Sequence, residues 1–509
     1  MLRPRLILLP LLLCSCTNHS LSPPDTLTVE LGSPTQTVNP LYTMDTDSQH
    51  VNELAHASLV VMGEHLTPEP YLAESFHYEG NSKIYFRLRK GCRLESGKEV
   101  TSDTIEKTVA YYLDPKNESS FAKTAYERIK KVEKINDYEF RLITDKPSPS
   151  LLTDLELMKI LDLDGVAPGT RPQFLRGAGP YKIASFSTSD IQLERSGQPC
   201  LPLPKIAKIH LKTVRDDLSR YLKLKRGELD LVLNDMNYRK VEMIMHDPTL
   251  PMSALSTDSA SYAYMGVNQN SPNLRDPRVR LAIAKSFDLP ELIRYKSRGF
   301  AKQARGMLAD MNFYANLQVP VITRDLDGAR KLLDEAGYSN GTNGKPPLHV
   351  TLKTSAGIIP VENARVLMAQ AKEAGIIIEH RAYDWGIFFA DVKSGNTELY
   401  TLSWTGITDP HLYFDLFHSS NIGKNNRTRY KNAEMDKLIE EGDSALDPAK
   451  RRPAYLKIQE LAAADLPFIN LWHPKNTAVF RKNITGVKVH PLGTWRVILA
   501  MSKDQDDPR

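Results

Sequence analysis

The segment from Leu348 to Ile378 constrains the fold of this chain more than any other. Its residues Leu348, Val350 and Leu352 alternate with polar residues, as they do in a half-buried strand. A helical apolar stripe follows, closed by Gly375, and Ile376 to Ile378 then begin a second strand. A strand, a helix and a strand in this order predict a parallel pair joined by a right-handed crossover. The fold class is therefore α/β.

The length of the chain indicates how many domains it forms. With 509 residues it is too long for one core, so two or three lobes are expected. Hydrophobic residues make up 41% and charged residues 25%, which is typical of a folded globular protein.

The N-terminus reads as an export signal. Arg3 and Arg5 precede an apolar run from Leu6 to Leu13, which is too short to span a bilayer. Leu13-Cys14-Ser15-Cys16 then resembles the lipobox of bacterial lipoproteins. We predict a signal peptide over residues 1–15, a lipid on Cys16 and a tether over residues 16–25. Plain signal cleavage beside incidental cysteines is the less favoured alternative. Either reading places the body outside the cytoplasm, and the lipid would hold it at the periplasmic face of the membrane.

The cysteines and the net charge exclude several classes of protein. Cys92 and Cys200 remain after processing, and the sequence favours two unpaired core thiols over one disulfide. The formal charge of +5 falls to +3 when Arg3 and Arg5 are removed with the signal. No basic run with interleaved aromatic residues is present, so we expect no nucleic-acid partner.

Motifs for catalysis and metal binding are absent from the sequence. No H-E-x-x-H occurs, and the 13 histidines form no pair at i, i+4. Lys353 to Gly357 lacks the first glycine of a nucleophile elbow. We therefore predict no catalytic residue, no metal site and no cofactor.

The stretch SWTGITDP, from Ser403 to Pro410, is the most informative loop. Glu398 to Ser403 reads as a strand, so Trp404 and the turn after it lie at a carboxyl end of the sheet. Ligands of open α/β sheets collect at such ends, which favours a ligand wall. A core tryptophan beside an ordinary connecting loop is the alternative.

Several stretches together resemble the solute-binding proteins of peptide ABC importers, the oligopeptide- and dipeptide-binding group. They occur in the order found in that group and cover residues 26 to 495. They are Pro70 to Phe76, Tyr85 to Gly91, Gly97-Lys98, Thr101 to Asp103, Gly177 to Tyr181, Gly227 to Asp230, Gly266 to Asn268, Asp276 to Arg280, Ala374 to Ile376 and Tyr430 to Asp436.

The resemblance implies a two-lobed periplasmic-binding-protein fold of type II, similar to cluster C, with an extra inserted domain. Lobe I would comprise residues 26–51, 173–272 and 476–509. The insert would span 52–172, and lobe II would span 273–475. Two crossing strands would form a hinge, and the closed monomer would deliver its cargo to a permease and its ATPase subunits.

The resemblance also implies a ligand site between the lobes. Its predicted residues are Tyr42, Met44, Asp45, Asn268, Tyr383, Trp385, Trp404, Thr405, Gly406, Ile407 and Thr408. Close relatives place an Asp three residues after the tryptophan to hold the ligand's amino group, and this chain has Ile407 there. Where dipeptide binders carry an Arg, it has Ile358-Ile359-Pro360. We therefore expect a modified or unusual cargo, such as a peptide in another register, a cell-wall-derived peptide or glutathione.

Other functions on the same fold remain open at this point. A receptor for a metal complex or haem is one, although histidine and methionine clusters are missing. An exported chaperone-like binder is another. An enzymatic function is the third possibility, and the sequence contains no catalytic motif that would support it.

Overall fold

The structure, a computed structural model, describes residues 22–23, 25–43, 45–120, 126–167, 169–339 and 344–504. The predicted signal peptide, the lipidation site Cys16, most of the tether and the predicted site residue Met44 lie outside these ranges.

The N-terminal strand and the predicted insert come first in the chain. Their elements are β1 (Thr26–Leu31), α1 (Thr46–Ala55), β2 (Val60–Met62), β3 (Pro68–Pro70), β4 (Ala73–Glu79), β5 (Lys83–Leu88), α2 (Ser102–Leu113), β6 (Ile129–Asn136), β7 (Glu139–Thr144), α3 (Leu151–Asp154) and β8 (Leu161–Asp162). Strands β4, β5, β7 and β6 form an antiparallel sheet of their own. Ile105, Val109 and Tyr112 of α2 lie at helical spacing and face its core. Helix α2 starts at Thr101, whose side chain caps it together with Thr104.

The next stretch returns to the sheet that contains β1. Its elements are β9 (Arg176–Gly177), β10 (Tyr181–Phe186), β11 (Asp190–Arg195), β12 (Lys208–Thr213), α4 (Asp217–Arg226), β13 (Leu231–Leu233), α5 (Tyr238–His246), β14 (Met252–Asp258) and β15 (Tyr262–Val267). Strand β1 pairs in parallel with β12 and β13. Its six residues are all buried, which fits a central strand.

The last stretch builds the second part of the sheet. Its elements are α6 (Pro277–Ser286), α7 (Leu289–Lys296), β16 (Ala301–Gln303), α8 (Leu326–Glu335), β17 (Leu348–Ser355), α9 (Ile358–Glu373), β18 (Ile376–Tyr383), α10 (Trp385–Ser394), β19 (Leu399–Trp404), α11 (Leu412–Phe417), α12 (Ala433–Ser444), α13 (Pro448–Asp465), β20 (Phe468–Arg481), β21 (Ile484–Thr485) and β22 (Ser502–Lys503). Strands β17 and β18 are parallel and joined by α9, so the predicted crossover is confirmed. The α/β fold class is confirmed with it.

Strand β20 joins the two halves of the large sheet. The strand order is β10-β11-β12-β1-β13-β20-β15-β19-β17-β18, with β14 and β16 also paired to β20. Its first half pairs with β15 and β16, and its second half pairs with β13 and β14. The short link from β14 to β15 runs alongside it. Two strand paths therefore cross between the halves, which is the arrangement expected of a hinge.

The hydrophobic cores divide along the same lines. One cluster lies mainly in the insert and includes Phe86 and Tyr112. Another surrounds β1 and the C-terminal Trp495, and further clusters lie on the two faces of the β15–β19 region. The lobe boundaries remain a prediction, and β15 packs in the clusters of the second half although the predicted bounds assign it to lobe I.

Cys92 and Cys200 form a disulfide, so the expectation of two unpaired thiols is wrong. Cys92 follows β5 in the insert, and Cys200 lies in the loop between β11 and β12. Gln198 fixes the same junction, because its side chain accepts from Arg93 N and donates to Arg93 O. Burial alone could not separate the alternatives, since a disulfide and a small apolar thiol are both buried. The bridge ties the insert to lobe I.

Candidate functional site

Three parallel strands of lobe II end at one edge of the sheet. Ser355 of β17 pairs with Tyr383 of β18, and β17 also pairs in parallel with β19. Strand β19 ends at Trp404, one residue later than the sequence predicts. Since carboxyl ends of parallel strands meet at one edge, Tyr383, Trp385 and the Trp404 loop lie along the same wall.

In lobe I, the parallel strands β1 and β13 likewise have their carboxyl ends at one edge of the sheet. The loop after β1 contains Gly32, and the turn after β13 contains Asn234 and Asp235. A Cβ on Gly32 would lie 2.5 Å from Asp235 Oδ2, so the Asp235 side chain would have to move if any larger residue replaced this glycine. Ser33 donates through its backbone and hydroxyl to Asp47 of α1, which fixes the start of that helix.

The loop from Trp404 to Thr408 touches parts of both lobes. Ile407 is buried and donates its backbone N–H to the carbonyl of Ala260, in the link between β14 and β15, at 3.0 Å. Gly406 has a φ of 62°, a left-handed conformation that favours glycine. A Cβ at Gly406 would lie 3.6 Å from the side chain of Leu492, in the C-terminal segment of lobe I. The loop therefore sits where the two lobes meet.

The polar groups of this loop are partly committed to the fold. The carbonyl of Thr408 accepts from the Asn312 amide at 2.9 Å, whereas Thr405 is exposed. Asp409 accepts from both Nη atoms of Arg451 at 3.0 Å and from the backbone of His411 at 2.8 Å. Burial alone would raise the pKa of Asp409, but the Arg451 guanidinium outweighs it and holds the pKa below its usual value. Asp409 is therefore a buried structural carboxylate and does not offer a free anion to a ligand.

Tyr383 and Trp385 line the neighbouring stretch of the wall. The Lys353 ammonium lies 5.5 Å from the centre of the Tyr383 ring and is paired with Asp391 at 2.7 Å. Trp385 is 57% exposed and stacks on Phe389 with ring centres 5.2 Å apart. Ile358, Ile359 and Ile387 are also exposed at the starts of α9 and α10. This wall is therefore largely apolar and aromatic.

Arg427 belongs to the same wall, although the sequence did not single it out. Its guanidinium carbon lies 4.8 Å from the Phe389 ring centre and 5.5 Å from the Trp404 ring centre. Arg427 follows no motif in the segment NNRTRY, and its neighbours come from two other elements. Only the tertiary structure brings them together.

Three of the predicted site residues have structural partners elsewhere. Tyr42 donates to the Asn117 carbonyl at 2.8 Å and packs on the core of the insert. Asp45 caps α1 by accepting from Ser48 N at 2.8 Å. The Asn268 amide is buried and donates to the carbonyls of Gly395 and Thr397.

The position of Asn268 separates it from the proposed wall. Tyr262, at the start of β15, pairs with Trp404, and Val267, at its end, pairs with Leu399. Asn268 thus lies at the far end of the strand, roughly 20 Å along its length. The structure therefore does not bring Asn268 together with the predicted residues of the Trp404 loop, and its role as a ligand residue stays a prediction.

The insert also contacts lobe II. Arg128 donates to the Ser150 hydroxyl at 2.8 Å and lies 3.2 Å from Nε2 of His411 in lobe II. The other ring nitrogen of His411 is 2.7 Å from Asp443. Burial works against a charged His411, but the hydrogen bond and charge of Asp443 raise its pKa above the usual value. This contact connects the predicted insert to lobe II at a point outside the hinge strands.

Within the described ranges, no group of three or more His, Cys, Asp and Glu side chains is placed to hold a metal ion. No helix in the described part of the chain has the length and apolar character to cross a bilayer.

Comparison with known proteins agrees with the geometry. The profile of the bacterial extracellular solute-binding proteins, family 5 middle, matches residues 67–425. The oligopeptide-binding protein AppA of Bacillus subtilis is 27% identical over 493 residues, covering 92% of this chain and 89% of AppA. Heme-binding protein A of Haemophilus influenzae is 25% identical over 457 residues, covering 84% of this chain and 82% of that protein.

A solved structure shows the same architecture. HbpA2 from Haemophilus parasuis superposes with a TM-score of 0.84 at 21% identity, covering 94% of this chain and all of that chain. The two-lobed fold is therefore shared. The profile match, the relatives and the fold together show that this chain belongs to the family 5 solute-binding proteins of bacterial ABC importers.

Proposed function

We propose that this protein captures peptides or peptide-like molecules in the cleft between its lobes and delivers them to an ABC permease. The observation that carries the proposal is the Trp404–Thr408 loop, in which Ile407 donates to the hinge link at Ala260 and Gly406 lies beside Leu492 of lobe I. A ligand at this wall would contact both lobes, and its binding energy would favour the closed state.

The chemistry of the wall narrows the cargo. Its surface is apolar and aromatic around Trp385, Ile358 and Ile359, and the nearby Asp409 is held by Arg451. An unpaired ammonium buried here would cost several kcal/mol, so a free N-terminus gains no anchor at this loop. We infer that the cargo is a peptide whose amino end lies elsewhere or is modified, with cell-wall peptides and glutathione as examples.

We propose the following assignments for the site. Tyr383, Trp385, Trp404, Thr405, Gly406, Ile407 and Thr408 form the lobe II wall. Lipidation at Cys16 would hold the monomer at the periplasmic face of the membrane. The protein binds and releases its cargo without breaking bonds.

A thermal-shift panel tests this proposal. The panel contains free and acetylated di- to pentapeptides, a murein tripeptide, glutathione, haemin and a nickel–histidine complex. A specific ligand at one hundred times its Kd stabilises the folded state by about 2.7 kcal/mol. We expect members of the peptide group to raise Tm. A response to haemin or to nickel–histidine alone would favour the metal-complex or haem receptor instead.

A further inference from the structure

His411 connects lobe II to the predicted insert through a hydrogen bond. Its Nε2 lies 3.2 Å from an Nη atom of Arg128, in the insert, and its Nδ1 lies 2.7 Å from Asp443 in α12. A guanidinium only donates hydrogen bonds, so Nε2 accepts, and the ring proton is on Nδ1, where it is donated to the Asp443 carboxylate. The contact with Arg128 therefore requires the neutral form of His411.

Protonation of His411 removes this contact. Nε2 then carries a proton and becomes a donor that faces the Arg128 donor. Two cations also lie 3.2 Å apart at a half-buried position, where charge repulsion is stronger than in water. The charged ring keeps its bond to Asp443, which lies on the lobe II side. A proton on His411 therefore breaks the link to the insert and keeps the link within lobe II.

The charged groups around His411 determine when it takes up the proton. Burial lowers the pKa of His411, but the hydrogen bond and the charge of Asp443 outweigh burial and raise the pKa above its usual value of about 6.5. Arg128 opposes this rise, and Asp409 adds to it. Other charged or titratable groups at this contact are Asp154 and Tyr78 of the insert, Asp415 of α11, and Arg451 and Tyr455 of α13. His411 therefore becomes charged at a higher pH than an ordinary histidine does.

The contact spans the predicted hinge. On one side, the Cys92–Cys200 disulfide ties the insert to lobe I, and Arg128 is held within the insert by the Ser150 hydroxyl at 2.8 Å. On the other side, His411 directly precedes α11 of lobe II. Since the insert is tied to lobe I, an opening of the hinge that moves lobe I away from lobe II also separates Arg128 from His411.

We propose that the Arg128–His411 hydrogen bond is a pH-sensitive latch on the closed form. It holds the insert against lobe II while His411 is neutral and releases the insert when His411 is protonated. The ratio of open to closed molecules therefore rises as the pH falls. This inference rests on the hinge and not on the identity of the cargo.

Small-angle X-ray scattering of the cargo-free, full-length protein tests the latch. Between about pH 8.5 and about pH 5.5, the ratio of open to closed molecules should rise about tenfold. R128M should show the high ratio at both pH values, because methionine cannot donate a hydrogen bond. H411Q should show no rise, because its amide keeps an uncharged acceptor and does not titrate in this range. The control H77Q, which changes an exposed histidine of the insert, should keep the full rise.

D154N separates the latch from a second titrating group at the same contact. Burial raises the pKa of Asp154 to about 7, so this carboxyl group also titrates in the tested range. D154N should keep the rise, because His411 and Arg128 are unchanged. An NMR titration of the assigned His411 ring should give a pKa that agrees with the midpoint of the scattering change within about one pH unit.

The latch is supported if the wild type shows the rise and H411Q does not. A constant ratio in the wild type, an equal rise in H411Q or a loss of the rise in D154N overturns it. If circular dichroism shows that a variant is unfolded, the agreement of the two midpoints in the wild type decides, and a larger gap between them overturns the latch. These measurements use no cargo, so a failed latch leaves the proposed function intact, and the thermal-shift panel tests that function independently.

Discussion

The Asp409 carboxylate accepts hydrogen bonds of 3.0 Å from both Nη atoms of Arg451, inside lobe II. This pairing determines what the loop after Trp404 can offer to a ligand. Its one acid is engaged in the fold, and the exposed part of the loop carries no negative charge. Affinity for a ligand at this loop therefore has to come from backbone contacts, aromatic surface and positively charged groups.

Acetylation of the peptide N-terminus should have little effect on binding. With no free carboxylate at the loop, the Kd of acetylated and free forms should agree within about threefold. Isothermal titration calorimetry with matched pairs measures this. A loss of more than about tenfold on acetylation would show that another acid holds the amino group.

Removal of Arg451 should destabilise the protein strongly. R451M leaves Asp409 buried without its partner, so the free energy of unfolding should fall by about 3–5 kcal/mol. The adjacent R452M changes a more exposed arginine that donates to the Phe313 carbonyl, and it should cost less than about 1 kcal/mol. Urea denaturation compares the two variants. Similar losses in both would argue against a special role for the Asp409 pair.

The disulfide should contribute measurably to stability. Cys92 and Cys200 close a loop with a sequence separation of 108 residues, for which a chain-entropy estimate gives about 3–5 kcal/mol. The double variant C92S/C200S should unfold at lower urea, and a reductant should lower the wild-type midpoint toward that of the variant. If a reductant lowers the urea midpoint of the double variant as much as that of the wild type, the effect of the reductant does not come from this disulfide.

Asp154 should make the protein less stable as the pH rises. Burial raises its pKa to about 7, while Arg128 opposes this and the nearby Asp409 adds to it, with His411 and Asp415 as weaker influences. The pKa of Asp154 in the folded state lies above the unfolded value of about 3.9. Its contribution to the free energy of unfolding is therefore fully present below pH 4 and is lost as the pH rises through 7.

The variant D154N tests this sign. Asn resembles the protonated acid, so D154N should match the wild type near pH 4 and exceed its stability at pH 8 by about 2 kcal/mol, a value discounted for residual exposure. D145N serves as control, since Asp145 is an exposed carboxylate beside Lys130. Parallel pH profiles for wild type and D154N would contradict the prediction.

Local signals in the sequence located most regular elements. Asp276 caps α6 and Pro277 starts it, as predicted from their residue types. Pro448 likewise opens α13. The run Asp288-Leu289-Pro290 is compatible with the end of α6, but that helix stops at Ser286 and Asp288 caps α7. The same acid is favourable before a new helix, so the sequence does not distinguish an end from a restart.

Sequence patterns do not predict contacts between residues that are far apart in the chain. Strand β20 runs from Phe468 to Arg481, because strands of both halves pair with it. The Arg427 contacts with Trp404 and Phe389 join residues 23 and 38 positions apart and follow no spacing rule. The loop after Trp404 could be predicted because strand ends carry a local pattern.

Native mass spectrometry of the full chain with an equimolar peptide mixture tests the central claim most directly. Bound molecules are released in organic acid and identified, and the remaining mixture is searched for shortened products. We predict one intact peptide-type molecule per chain and no cleavage. Bare protein throughout, or steady formation of shortened peptides, would contradict it.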